Sequence, residues 1–252
     1  MIEFDNSKEI IKPEYVLSPV DNCPSVALLC FDDRVYSELI EKYATDIRFY
    51  LPSSNRTHPV YGFMTAAGKS ALFTKISVGA PATAGAIEEL SFLGVKDFIL
   101  FGSGGSLNKD VTSGNYIIPS AAFRDEGTSY HYAPPSDFID IPTWKNTEKL
   151  FRKLSIPCAV GKTWTTDAFY RETENKYKKR KEEGCVIVEM ECAAAAAVCK
   201  FRNRNFYAFL WTADTLCSDE RWKRTDKSIV NNTFYSDTAK LAVNIAGMVY
   251  EL

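Results

Sequence analysis

The sequence predicts a single α/β domain over residues 1–252, built as a central, mostly parallel mixed sheet flanked by helices. Three observations carry this expectation: short apolar runs alternate with amphipathic segments, the connections between them are tight, and no Pro- or Ser-rich linker divides the chain. Of the 252 residues, 46% are hydrophobic and 25% charged, which supplies a full core and excludes a disordered or coiled-coil chain.

Taken in order, residues 25–31 (SVALLCF) suit a buried strand, and 32–43 follow with an acidic start and Val35, Leu39, Ile40 and Tyr43 at helical spacing. Residues 71–78 read as a strand that Gly79 breaks. Pro81 then opens a helix whose Ile87, Leu90 and Leu93 run to a stop at Gly94. A strand over 97–101 comes at once, and strand, helix and strand joined this tightly imply a parallel crossover. Residues 115–118, 158–160 and 186–188 read as strands, with a highly charged helix over 171–183. Residues 191–202 (ECAAAAAVCKFR) have the alanine content of a helix packed closely on a sheet, 206–212 a strand pattern, and 228–252 a long helix with Phe234, Leu241, Ile245, Met248 and Leu252 on one face.

Thirty Lys+Arg against 32 Asp+Glu leave a charge of −2 and no basic stripe, so nucleic acid is excluded as a partner. Met1-Ile2-Glu3-Phe4-Asp5 carries acids where a signal peptide carries Lys or Arg, and no run of about 18 apolar residues occurs, so a cytoplasmic location without membrane contact is expected. The seven cysteines (Cys23, Cys30, Cys158, Cys185, Cys192, Cys199 and Cys217) form no C-x-x-C pair and read as buried thiols. With His58 and His131 the only histidines, no metal site and no Ser-His or Cys-His machinery is expected.

Three strand ends carry chemistry. Gly102-Ser103-Gly104-Gly105-Ser106 follows an apolar strand, where glycines let backbone N–H groups and the Ser103 hydroxyl approach an anion or sugar. A tight turn needing positive φ explains the glycines equally well, and no P-loop Lys follows. Glu189-Met190-Glu191 stands where a strand becomes a helix, a place for ligands in open α/β sheets and for helix-capping acids alike. Asp214, in W-T-A-D-T, reads as a site acid or as a helix-cap or turn Asp.

Together with S-V-G-A-P-A-T-A-G-A-I-E-E-L (77–90), F-G-S-G-G-S-L (101–107), R-D-E-G-T-S-Y-H-Y (124–132), T-W-T-T-D-A-F-Y-R-E-T (163–173) and V-E-M-E-C-A-A (188–194), these stretches resemble the nucleoside phosphorylase/uridine phosphorylase superfamily, which includes methylthioadenosine/S-adenosylhomocysteine nucleosidases. The resemblance covers roughly residues 25–214 and implies a nucleoside phosphorylase, a pentosyltransferase taking nucleoside and phosphate and needing no metal or organic cofactor. It implies that Glu191 binds the ribose 2′ and 3′ hydroxyls, with Met190 packed on the sugar and Glu189 and Gly104 beside it. Ser103 serves phosphate, Phe169 flanks the base, and Asp214 donates a proton to a departing purine. Cleaving the ribosyl C–N bond builds positive charge on the sugar and negative charge on the base, which a carboxylate at one end and an acid at the other would meet.

Two phosphate features of such phosphorylases depart here. Cys30-Phe31-Asp32-Asp33-Arg34 replaces G-D-P-x-R, and Leu100 stands where an arginine is usual. Arg34 and Arg56 are the remaining candidates for phosphate. Nucleosidases also lack the arginine, and Asp33 falls near their water-activating glutamate, so hydrolysis is the alternative, with a non-catalytic nucleoside-binding relative as the third reading. A purine is favoured over uridine because Asp214 is present and Thr173 and Asn175 replace the Gln/Arg pair that reads uracil. The resemblance further implies a homo-oligomer built from dimers, up to a hexamer, since Arg56 and His58 lie in the segment that reaches a neighbouring subunit.

Overall fold

Residues 26–30 are apolar at every position because both faces of their strand are covered. In the computed structural model, which describes residues 4–52, 57–108, 111, 113–216, 222 and 226–252, β1 (Val26–Cys30) turns Ala27 and Leu29 into one apolar cluster and Val26, Leu28 and Cys30 into another. The chain continues through α1 (Asp33–Tyr43), β2 (Asp46–Leu51), β3 (His58–Met64), β4 (Ser70–Lys75), α2 (Ala80–Leu93), β5 (Asp97–Ser106), β6 (Tyr116–Asp125), β7 (Phe138–Asp140), α3 (Trp144–Lys153) and β8 (Cys158–Thr166). It ends with α4 (Glu174–Glu182), β9 (Cys185–Glu189), α5 (Cys192–Phe201), β10 (Asn205–Thr215) and α6 (Asn232–Val249). Ile87, Leu90 and Leu93 of α2 and the alanine face of α5 fill the first cluster. Val35 and Leu39 of α1, Leu150 and Phe151 of α3 and Leu241, Ile245 and Val249 of α6 fill the second, so helices cover both sides of the sheet as expected.

All of these strands join one mixed sheet. Parallel pairing links β4, β1, β5 and β10, and separately β6, β8 and β9. Antiparallel contacts of β10 with β6 and of β5 with β9 then close β5, β10, β6, β8 and β9 into a ring. The sequence pattern anticipated an open sheet and did not show this closure, which pairs Gly105 with Val188 and Ser106 with Ile187 and continues in the Leu107 N–H bond to the Val186 carbonyl.

The glycine stretch is the clearest correction. Rather than turning after Phe101, β5 runs straight through to Ser106, and none of Gly102, Gly104 and Gly105 has positive φ. These glycines serve close approach instead. A Cβ on Gly104 would lie 2.5 Å from the Val188 carbonyl oxygen, and one on Gly105 would lie 2.6 Å from Leu216 Cδ1. Gly104→Ala therefore has to part β5 from β9, and we expect it to lower stability by about 1–3 kcal/mol, measured by thermal or urea unfolding. Gly85→Ala, on α2 with nothing within 4 Å of its added methyl, is the matched control and should be neutral or stabilising.

Other boundaries shift for local reasons. Asp32 caps α1 by accepting from the Arg34 and Val35 N–H groups, and Asn231 caps α6 through Phe234 N–H, which starts that helix at Asn232 instead of residue 228. Residues 169–171 form a 3₁₀ turn, so the charged helix begins at Glu174. The strands β2, β3 and β7 and the helix α3 carried no apolar run that marked them. The six described cysteines are free, and Cys23 and Cys158 are only partly covered; Cys217 lies outside the described residues.

Candidate active site

Where β5, β9 and β10 end, they enclose a cavity of about 220 Å³ that Phe31 and Val78 close from the β1 and β4 side and Phe169 and Glu172 from the 3₁₀ turn. Ser103, Gly104, Phe169, Glu189, Met190, Glu191 and Asp214 all line it, so the residues singled out at three separated strand ends meet in one place. A larger cavity near the N-terminal segment, about 370 Å³, contains none of them.

The two glutamates divide the two roles the sequence left open between them. Glu189 is the helix-capping acid: one carboxylate oxygen accepts from the Glu191 and Cys192 N–H groups at 2.6 and 2.7 Å, and the other from the hydroxyls of Thr163, at 3.0 Å, and Thr165. With both oxygens saturated inside the protein, Glu189 holds the start of α5 and has no lone pair to spare for a ligand. Glu191 occupies the cap position itself, yet its side chain makes no cap bond. It accepts instead from Gly79 N–H at 2.7 Å on one oxygen and from its neighbour Met190 N–H at 3.2 Å on the other, which leaves acceptor capacity on both. Burial pushes both carboxyls up, Glu191 to about 8 with the adjacent Glu189 charge adding to the effect.

Asp214 is neither a helix cap nor a turn residue. It lies inside β10, where the pairing with β5 slips between Thr212 and Asp214. In a regular strand, neighbouring side chains face opposite ways; this bulge lets Ala213 and Asp214 both line the cavity. Trp222 Nε1–H donates to Asp214 Oδ2, holding its carboxyl pKa down while burial, the larger effect, raises it.

The remaining candidates fall elsewhere. The Arg34 guanidinium stacks over the Tyr235 ring, 4.4 Å from its centroid, and does not line the cavity. Arg56 lies outside the described residues. Leu100 is buried in the sheet core at 1% exposure. Among the described residues no cluster of His, Cys, Asp or Glu could hold a metal ion, and no helix is long and apolar enough to cross a membrane.

Four contributors were not singled out from the sequence. Gly79 supplies the N–H that fixes Glu191, and its φ of 111° is the left-handed region that glycine adopts at no cost. Thr163 and Thr165 position Glu189. Glu172 brings a fourth carboxyl to the cavity; burial and the charge of Asp214 push its pKa up to about 7.

Comparison with known proteins is consistent across sequence and fold. A family profile described as "Phosphorylase superfamily" matches residues 25–250. A purine nucleoside phosphorylase of DeoD type from Exiguobacterium sp. is 27% identical over 191 residues, 72% of this chain and 77% of that relative. A uridine phosphorylase from Salmonella typhimurium is 28% identical over 149 residues, 52% of this chain and 58% of that relative. Among solved structures, purine nucleoside phosphorylase from Toxoplasma gondii, in complex with immucillin-H, superposes with a TM-score of 0.73 at 20% identity, covering 90% of this chain and 94% of that one. Uridine phosphorylase from Vibrio fischeri superposes at 0.74 with 18% identity, covering 96% and 98%.

Proposed function

The chain belongs to the phosphorylase superfamily, and from that premise we propose that it transfers the ribosyl group of a purine nucleoside to phosphate, releasing free base and ribose 1-phosphate. One observation carries the reading: a single cavity holds Glu191, with acceptor capacity on both carboxylate oxygens, together with Asp214 brought in by the β10 bulge. The ribose hydroxyls donate to Glu191, whose charge gains value as the sugar turns cationic in the transition state. Met190 packs on the ribose, Phe169 flanks the base, and Asp214 meets the negative charge developing on it. Ser103 and Gly104 contact phosphate and sugar from the end of β5. Phosphate is a co-substrate, and the reaction uses no metal or organic cofactor. The active form is a cytoplasmic homo-oligomer of one-domain subunits.

A second reading, with water as the acceptor, draws on the lining itself. Among the described residues around the cavity stand four carboxyls, Glu172, Glu189, Glu191 and Asp214, and no basic side chain. Release of base from adenosine and uridine, each with and without phosphate, separates the readings. The expected result is phosphate-dependent release, faster from the purine nucleoside. Release without phosphate would establish hydrolysis, faster cleavage of uridine would reverse the purine assignment, and binding without turnover would leave a non-catalytic relative.

A further inference from the structure

We propose that Asp125 is a positioning residue for the base, a clasp that fixes both ends of the connection carrying Phe169 and Glu172. The inference rests on the nucleoside reading above and adds to it a residue outside the cavity. Residues 167–173 link β8, which ends at Thr166, to α4, which begins at Glu174. Among the described residues, the hydrogen bonds of 168–173 stay within the connection and its two flanks. Ala168 N–H donates to Thr166 Oγ1 at 3.2 Å, Arg171 N–H to the Ala168 carbonyl at 2.7 Å and Glu172 N–H to the Phe169 carbonyl at 3.4 Å. This wall of the cavity therefore takes its position from whatever holds the flanks. Asp125 holds both. It is the last residue of β6 and stands opposite Thr166 in the β6–β8 register. Its Oδ2 accepts from Trp164 Nε1–H of β8 at 3.0 Å and from Lys176 Nζ of α4 at 2.7 Å, so one carboxylate oxygen joins the strand before the connection to the helix after it. The Asp125 carbonyl accepts from Asp167 N–H at 3.3 Å, and Gly127 N–H donates to Asp167 Oδ2 at 3.1 Å.

The clasp is itself anchored. Buried Arg124 sends its guanidinium into the loop that follows, donating to Ser129 Oγ at 2.8 Å, Ser136 Oγ at 3.0 Å and the carbonyls of Ala133 and Pro134 at 3.1 and 2.7 Å. The stretch R-D-E-G-T-S-Y-H-Y, none of which lines the cavity, thereby gains a part in it: Arg124 locks the loop, and Asp125 ties the base side of the cavity to β6, a strand of the closed ring. Phe169 is half-exposed, and an aromatic ring on a segment with few bonds of its own binds a base well only while the segment is held in place. Ser103 stands on β5 and Glu191 at the start of α5, so the sugar side does not hang on the clasp. Loosening it should weaken ground-state and transition-state binding alike, which raises KM and spares kcat.

The test pairs two variants. Asp125→Asn keeps an acceptor for the buried Trp164 indole N–H and removes the charge that draws in Lys176, whereas Lys176→Met cuts the helix side alone. Hydrogen exchange over 168–173, read by mass spectrometry, should run about three- to tenfold faster in either variant, the effect of one partly exposed charged hydrogen bond, with exchange in β1 unchanged. KM should rise by a similar factor for adenosine or uridine with phosphate, whichever the parent cleaves faster, and calorimetric affinity for the matching free base should fall with it, while kcat stays within about twofold. The double variant should be no worse than either single one, since both cut the same bond, and Lys176→Arg should behave as the parent. Exchange over 168–173 at the parent's rate, exchange that rises throughout the sheet, or a loss in kcat with KM unchanged overturns the proposal. Should the parent neither cleave a nucleoside nor bind adenine or uracil, the nucleoside reading fails, and exchange over 168–173 decides the clasp on its own: faster in both variants upholds it, unchanged sinks it.

Discussion

Asp214→Asn should slow phosphorolysis of purine nucleosides by about 10²–10⁴-fold, the usual worth of general acid assistance and roughly 3–5 kcal/mol of barrier. Asparagine keeps the size of the side chain and can still accept from Trp222 Nε1–H, so the contact that anchors the residue survives. What disappears is the carboxyl that helps hold a proton at the base. Substrate affinity should therefore change little while kcat collapses. A nitrophenyl riboside, whose leaving group departs without a proton, should lose far less. Equal losses on both substrates would mean that residue 214 serves only to hold the bulged end of β10 in place.

Assayed above about pH 8, where the Glu191 carboxyl is ionised, Glu191→Gln should reduce kcat/KM at least tenfold, and its effect on stability should run the opposite way. A charge-assisted hydrogen bond contributes about 1.5–3 kcal/mol against roughly 1 for a neutral one, so the ribose diol and the cationic sugar both lose their partner. In the folded protein the Glu191 carboxyl is raised to about 8 from an ordinary 4.5. Its ionisation therefore costs the native state nothing below 4.5 and progressively more up to about 8, beyond which the cost is constant. Glutamine carries no such cost. The difference in unfolding free energy between parent and variant should accordingly move in favour of the variant as pH rises from 4.5 to 8. Denaturant melts across that interval measure it, and a pH-independent difference would show that Glu191 is not held in a desolvated carboxyl site.

The sites were legible in the sequence where function and strand ends coincide. Glu191, Met190, Ser103 and Asp214 stood out because each follows an apolar run. Their surroundings were less so. Two carboxylates separated by one residue look alike on paper, and only the four donors converging on Glu189 assign it to α5 and release Glu191 to the cavity. Glu172 lies in a stretch notable for Phe169, and nothing local says that Asp214, more than forty positions later, faces the same space. The overlooked strands have physical reasons as well. β2 is mostly exposed and lacks an apolar run, and β3 contains Pro59 and Gly62, residues that normally argue against a strand. The glycines of β5 misled for the opposite reason: they suggest a turn, yet at Gly104 and Gly105 β9 and Leu216 pass too close for a side chain.

The closed ring of β5, β10, β6, β8 and β9 divides the cavity into parts of different stiffness. Ser103 and Asp214 lie on strands of a circuit with no free edge among its members, and Glu191 stands two residues past the end of one of them, at the start of α5; strands paired on both sides resist displacement. Phe169 and Glu172 belong to a short connection outside that circuit, half-exposed in the case of Phe169. On the proposed function, substitutions in the connection would change which base is admitted without moving the atoms proposed to grip the sugar. On that reading the fold separates the inheritance of a reaction from the inheritance of a substrate, so that a lineage could exchange one base for another while the proposed ribosyl chemistry stays put.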